Sequence, residues 1–228
     1  MEILYEDNHL VAVGKSPGEI VQGDKTGDEP LSESLKRYLK EKYHKPGNVF
    51  VGVIHRLDRP VSGIVVFAKT SKALARMNNI FADKEAVKKT YLAIVEKAPV
   101  QPQGRLTHWL RRNEEKNKSL VTTPHSKGAK EAILEYRTLV VGDNFSLLEI
   151  RLLTGRHHQI RAQLSAIGCP IKGDLKYGAK RSNAGGSISL HARSLSFIHP
   201  VSHKEIDLTA PFPEGSDQLF GKFAKEIH

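Results

Sequence analysis

Cysteine is almost missing: Cys169 stands alone in 228 residues, which excludes an intrachain disulfide and every zinc or iron–sulfur module built from several cysteines. Such a chain suits a reducing compartment. No stretch approaches about 18 uninterrupted apolar residues, and the opening MEILYEDNHLVAVGK has no basic segment leading into an apolar one. Neither a membrane span nor a secretory leader is expected, and a cytoplasmic protein is. The glycine fingerprint of a phosphate-binding strand–turn–helix is absent, as is any repeat of about 20–50 residues. What remains is ordinary: 39% hydrophobic and 26% charged residues, with Gly 18 and Pro 11, support a core that folds without staples.

Acidic residues are also in short supply, 25 against 35 Lys and Arg, for a net charge of +10. The imbalance is local. Residues 1–50 carry 7 basic and 9 acidic side chains, 51–200 carry 25 and 11, and 201–228 carry 3 and 5. A block of +14 between slightly acidic ends points to one basic working region and a polyanionic partner, nucleic acid before any other.

Hydrophobic spacing predicts the elements. His9–Val13 reads as a strand, followed by a Gly/Asp-rich loop with a two-residue strand in it. Leu31, Leu35, Tyr38 or Leu39, and Lys42 or Tyr43 recur at helical spacing, with Ser32 or Ser34 near the start and Pro46-Gly47 beyond the end, and a second helix is expected from about Ser71, available as its N-cap, to Phe81. Apolar strands ending at His55 and starting at Ile64 flank a polar turn, and TYLAIV gives another strand. THWLRRNEEKNKSLVTTP reads as a basic hairpin arm or loop. EAILEYRTLVV and FSLLEIRLL, divided by Gly142-Asp143-Asn144, form an antiparallel pair. Ile160, Leu164 and Ile167 share a helix face closed by Gly168, with Arg161 on its flank. DLKYGAKRSNAGGS reads as a polar loop, and ISLHARSLSFIHP and HKEIDLTAP as two last strands. About eight strands without regular strand–helix alternation define an α+β class with a mixed, mostly antiparallel sheet. No linker is visible, so 1–228 is expected to be a single domain.

Three groups of residues could carry chemistry. HRLD sets His55, Arg56 and Asp58 in a turn closed by Pro60 and Gly63, where a carboxylate beside a guanidinium can serve as nucleophile or base, or simply pair within the turn. GRHHQIR sets Arg156, His158, Gln159 and Arg161 around a helix start suited to phosphate or carboxylate. Adjacent His157 and His158 diverge around a helix and no third ligand has a metal spacing, so no metal is expected. Tyr91 follows Lys88 and Lys89 at the head of a strand, from which a ring could stack on a base or enter the core. Trp109 with Arg111 and Arg112 is a second such combination.

Taken in order, HRLDRPVSGIVVFAKT, KKTYLAIV, LLTGRHHQIRAQLSAIGCPIKGDLKYG and SLHARSLSFIHP resemble the RluA-type family of RNA pseudouridine synthases over about residues 5 to 210. The resemblance implies the pseudouridine synthase fold with a central catalytic cleft, and isomerisation of uridine within ribosomal or transfer RNA without metal or redox cofactor. It assigns the essential carboxylate to Asp58, the ring that stacks on the target base to Tyr91, and the arginine pairing with that carboxylate to Arg161. Arg56 matches the arginine that displaces the base, and Leu190 the pocket aliphatic. His55, Lys89, Gly155, Arg156, His158 and Gln159 are expected to shape the cleft and contact RNA. In the implied reaction the N-glycosidic bond breaks, the bound uracil turns, and C5 bonds to the ribose. Asp58 either adds at C1′ or removes a proton to leave a glycal-like intermediate, and Tyr91 or Asp58 takes the C5 proton. A base buried in a helix has to flip out to be reached, which gives the aromatic and cationic neighbours a purpose.

Val61 stands where the family usually has Thr, and His157 where it usually has Thr or Ser. Neither departure removes a reacting group. The chain starts too near its first strand for an appended S4-like RNA-binding domain, so a monomer binding RNA through the catalytic body is expected. Two other readings compete: an RNA-binding or ribosome-assembly factor that keeps the fold without catalysis, and a glycosidic hydrolase using Asp58. The latter lacks an identifiable second carboxylate.

Overall fold

Alternating and continuous apolar runs become strands, and 3.6-residue periodicity becomes helix, in the computed structural model, which describes residues 1–83, 85–212 and 218–226. The chain divides into two units, 1–87 with 193–213 and 88–192 with 214–228. Two of the three divisions fall inside strands, β5 (Val87–Val95) and β10 (Leu190–Ile198), where composition does not change, and the third, at 213/214, lies outside the described residues.

In the first unit β1 (Glu2–Glu6), β2 (Leu10–Lys15) and β4 (Ser62–Ala68) pair antiparallel in that order, and the two-residue β3 (Gly52–Val53) also pairs β4. The β2–β4 register runs from Leu10↔Ala68 to Lys15↔Gly63, which lays the residues after HRLD beside the end of β2. Strand β10 pairs β11 (Glu205–Thr209). Two helices, α1 (Leu31–Lys42) and α2 (Ser71–Ala82), complete the unit, whose core joins Leu10, Ile64, Val66, Met77 and Phe197. β1 is additional to the expected strands, and the expected two-residue strand between residues 18 and 30 is plain loop. The α2 cap also shifts by one residue: Thr70, extended at φ −141°, accepts the Ala73 amide at 3.1 Å, so Ser71 is already helical.

Glu6 knits this unit together. Its carboxylate receives Lys42 Nζ at 2.7 Å, Lys69 Nζ at 2.9 Å, Tyr43 OH at 2.6 Å and Tyr38 OH at 3.1 Å. Burial would raise its pKa, but the Lys42, Tyr43 and Lys69 donors outweigh burial and bring it down to about 2. A carboxylate held below its unfolded value stabilises the fold above that value and loses the contribution as pH falls through the folded one. Glu6→Gln should therefore cost roughly 2 kcal/mol at neutral pH and flatten the acid limb of stability between pH 4.5 and about 2. Chemical denaturation of both proteins across that range measures it, and an unchanged limb would count against the network.

In the second unit β5, β9 (Ser146–Leu152), β8 (Lys130–Val141), β6 (Gln103–Asn113) and β7 (Lys118–Thr122) lie side by side in that order, each pair antiparallel. The basic segment is a β6–β7 hairpin, and Gly142-Asp143-Asn144 lies in the β8–β9 turn as expected. Helix α3 (Gln159–Ala166) is buried from Gln159 through Leu164, so Arg161 is interior rather than on the flank of an apolar stripe, at 5% exposure. A further helix, α4 (Gln218–Ala224), buries Phe220 and Phe223. The described residues contain eleven strands and four α-helices, and the α+β class stands. None of these helices is long and apolar enough to cross a membrane.

Candidate active site

Asp58 sits on a loop whose backbone is tied down from below. Lys15 ends β2 with 1% of its surface exposed, and its ammonium donates to the carbonyls of Ser16 at 3.0 Å, Arg59 at 3.0 Å and Val61 at 2.6 Å. The Arg59 carbonyl also accepts the Gly18 amide at 2.8 Å, and the Asp58 carbonyl accepts the Val61 amide at 3.0 Å. The carbonyls of Arg59 and Val61, just downstream of Asp58, thus share one buried cation. Burial lowers the Lys15 pKa to about 8 against the raising pull of Glu19 and Asp58.

The neighbouring side chains divide their tasks. His55 Nε2 accepts the Val66 amide at 3.1 Å, and its ring stacks on Phe81 at 5.0 Å, which pins the start of HRLD. Arg56 is exposed. Arg59 reaches the loop after β2, with Nη1 2.6 Å from Asp28 Oδ2 and Nη2 2.7 Å from Thr26 Oγ1. Val61 is 2% exposed with its side chain in the core, so the methyls that replace the family hydroxyl are well accommodated.

The second unit carries the other expected residues. Tyr91 is half-buried on β5, opposite Ile150, and Leu190 opens β10 at 4% exposure. Lys89, two residues before Tyr91, has its pKa lowered by burial. Before α3, Gln159 works as a brace: Oε1 receives Thr154 Oγ1 at 2.7 Å and the Arg156 amide at 3.0 Å, while Nε2 donates to the Ile133 carbonyl at 3.0 Å. Arg156 Nε donates to the Glu131 carbonyl at 2.9 Å. These bonds give GRHHQIR a fixed shape.

His158 holds the left-handed conformation at φ 51° and caps the turn into α3. Its ring is buried, with Nδ1 3.0 Å from the Tyr177 hydroxyl, and lies parallel to His157 at 3.8 Å. Burial, reinforced by Arg161 and His157, drives the His158 pKa down to about 2, so the imidazole is neutral at any working pH. Ser119 Oγ donates to the His157 carbonyl at 2.6 Å and lies 2.9 Å from His157 Nδ1. A hydroxyl has one proton, so Nδ1–H is the donor in the second contact. The histidine that replaces a small hydroxyl residue thereby ties α3 to β7.

Arg161 has a partner that sequence reasoning missed. Nε and Nη2 meet Asp174 Oδ2 and Oδ1 at 2.7 and 2.9 Å. The Tyr177 ring lies 5.0 Å from the guanidinium carbon. Both belong to the stretch read as a polar loop; a signal was the pair of glycines framing them, Gly173 at φ 88° and Gly178 at φ 101°. A Cβ on Gly173 would come within 2.6 Å of Asn183. Among the described residues no group of three His, Cys, Asp or Glu could hold a metal ion.

A strand-borne carboxylate loop on one unit, with a stacking-competent tyrosine and a buried arginine on the other, belongs to an α+β fold that matches solved pseudouridine synthase structures. Human RNA Pseudouridylate Synthase Domain Containing 4 superposes with a TM-score of 0.81 at 23% identity, over 99% of this chain and 92% of that one. The family model for RNA pseudouridylate synthase matches residues 9–166. Ribosomal large subunit pseudouridine synthase D of Zymomonas mobilis is 35% identical over 230 residues, 96% of this chain and 72% of that protein. tRNA pseudouridine synthase C of Haemophilus influenzae is 33% identical over 244 residues, 99% of each. The chain belongs to the RNA pseudouridylate synthase family, and as an RNA pseudouridine synthase it isomerises uridine in RNA to pseudouridine.

Proposed function

We propose that the substrate is a uridine in structured ribosomal or transfer RNA, and that Asp58 acts at its ribose. The observation that carries the catalytic assignment is the Lys15 brace: a fold that buries an ammonium to fix the backbone around one loop carboxylate has organised that carboxylate for chemistry. Tyr91 supplies the ring against which the freed uracil turns, and Arg161 a fixed positive charge. Exposed Arg56 helps displace the base and occupies its place in the RNA, and Leu190 packs near the ring. Breaking N1–C1′ and forming C5–C1′ removes one proton from C5 and places one on N1, so the isomerisation balances without oxidant or co-substrate. Relatives named for large-subunit RNA and for transfer RNA support both RNA classes.

RNA binding draws on the second unit, whose residues 88–192 contain 18 basic and 8 acidic side chains. Arg105, Arg111, Arg112 and Lys116 are exposed on or at the tip of the β6–β7 hairpin. An interface of this kind releases counterions, so affinity for RNA should fall at least roughly tenfold between 50 and 200 mM salt. A flat binding constant would contradict it. The decisive experiment compares pseudouridine maps of ribosomal and transfer RNA with and without the gene. Loss of specific sites in either class supports the proposal; unchanged maps in both overturn it.

A further inference from the structure

The geometry points to Asp174 and Tyr177 as positioning residues that hold Arg161 for the uridine chemistry, an inference that rests on the role proposed for Arg161. The two clamp different aspects of the guanidinium. Asp174 grips it edge-on through two charge-assisted bonds of 2.7 and 2.9 Å, with the side chains 6% and 1% exposed. Tyr177 covers it at 5.0 Å. A guanidinium has five N–H donors, so a partner that fixes one edge orients the group without exhausting it.

Each clamp is itself fixed. The Asp174 amide donates to the Ile171 carbonyl at 3.0 Å, and the Asp174 carbonyl accepts the amides of Tyr177 at 2.9 Å and Ala179 at 3.1 Å. This tight turn is framed by the two left-handed glycines. The Tyr177 hydroxyl accepts the Ser119 amide at 2.8 Å and meets His158 Nδ1 at 3.0 Å, and its carbonyl accepts Ser165 Oγ at 2.7 Å. The ring is thereby locked to β7, to the turn before α3 and to α3 itself. The neutral His158 ring keeps a further positive charge away from this assembly.

Stability alone does not account for the arrangement. A buried ion pair gains little over well-packed apolar side chains of the same volume, because desolvation of both charges offsets their attraction. What the clamp supplies is direction: a long, rotamer-rich side chain is confined to one orientation. Displacements on the order of 1 Å in such a group cost about a hundredfold in rate.

The test uses the full chain and bulk ribosomal and transfer RNA from cells lacking the gene, labelled with tritium at uridine C5. Asp174→Asn keeps the shape but removes the charge. We expect kcat to fall about 10- to 100-fold with KM within about threefold, since the clamp acts on the reacting centre rather than on RNA affinity. Asp174→Glu should recover part of the loss. Tyr177→Leu should lower kcat in the same way, whereas Tyr177→Phe keeps the covering ring and should be the milder change. Thermal midpoints place each assay where the variant is folded, and if Asp174→Asn fails to fold, the Tyr177 pair decides. Wild-type kcat in Asp174→Asn and Tyr177→Leu overturns the inference, as does a loss confined to KM or explained by the folded fraction. Wild-type activity in Arg161→Met would instead overturn the role of Arg161.

Discussion

Asp58→Asn should abolish pseudouridine formation, by at least about a thousandfold, while leaving the thermal midpoint and RNA affinity close to those of the unmodified protein. Asparagine is nearly isosteric, so the loop keeps the backbone bonds that define it: the Val61 amide on the Asp58 carbonyl, and Lys15 and Gly18 on the carbonyl of Arg59. What disappears is the negative charge and the oxygen nucleophile or base. An amide can neither add to C1′ nor take a proton from the ribose at useful rates. The measurement is release of C5 tritium together with nucleoside mass spectrometry of the product. Residual activity above a few per cent would remove Asp58 from the chemistry, and an equal loss of RNA affinity would recast it as a binding residue.

Lys15→Met should be the most destabilising conservative change, costing about 3 kcal/mol and lowering the thermal midpoint by roughly 6–12 °C. The side chain is 1% exposed, and three carbonyls on two chain segments share its ammonium. Methionine fills much of the same volume but takes the ammonium from all three oxygens, of which that of Arg59 keeps the Gly18 amide. The effect should extend to activity: Arg59 and Val61 carry two of the oxygens, so a slackened loop misplaces Asp58. We expect kcat to fall at least tenfold at a temperature where the variant remains folded. A midpoint within 2 °C of the wild type would show that the brace is dispensable.

Strand and helix periodicity made most of the fold legible, because local burial patterns leave a mark on neighbouring residues. The α1 and α3 positions and the β8–β9 hairpin follow from spacing alone, whereas the basic arm, left open between hairpin and loop, is a hairpin only in the structure. Less was readable wherever distant parts of the chain decide. β1, EILYE, is five residues long with its apolar residues consecutive rather than alternating, and its pairing with β2 makes it a strand. The boundaries between the two units pass through β5 and β10, where no linker composition exists to mark them. α4 leaves only Phe220 and Phe223 three apart as a trace.

The expected site residues followed the same rule. Asp58, Tyr91 and Arg161 were named from ordered motifs, but what holds them was not. Lys15 lies two residues beyond the strand read at His9–Val13 and carried no expectation, and two of its three partners lie 44 and 46 residues away. Asp174 and Tyr177 fell in a stretch whose glycines and lysines read as solvent-exposed loop. Tyr177 is nevertheless 3% exposed and Asp174 2%. A sequence advertises chemistry through residue type, whereas the supports of that chemistry are ordinary residues made special by tertiary contact.

The buried Arg161–Asp174 bond also makes its two positions interdependent. Changing either member alone removes one side of a buried charge pair, at a cost of about 3–5 kcal/mol, a large part of the stability of a domain this size. An apolar pair could fill the same space at little cost, but every single-substitution route to it crosses that valley. The two positions, 13 residues apart, are therefore energetically coupled.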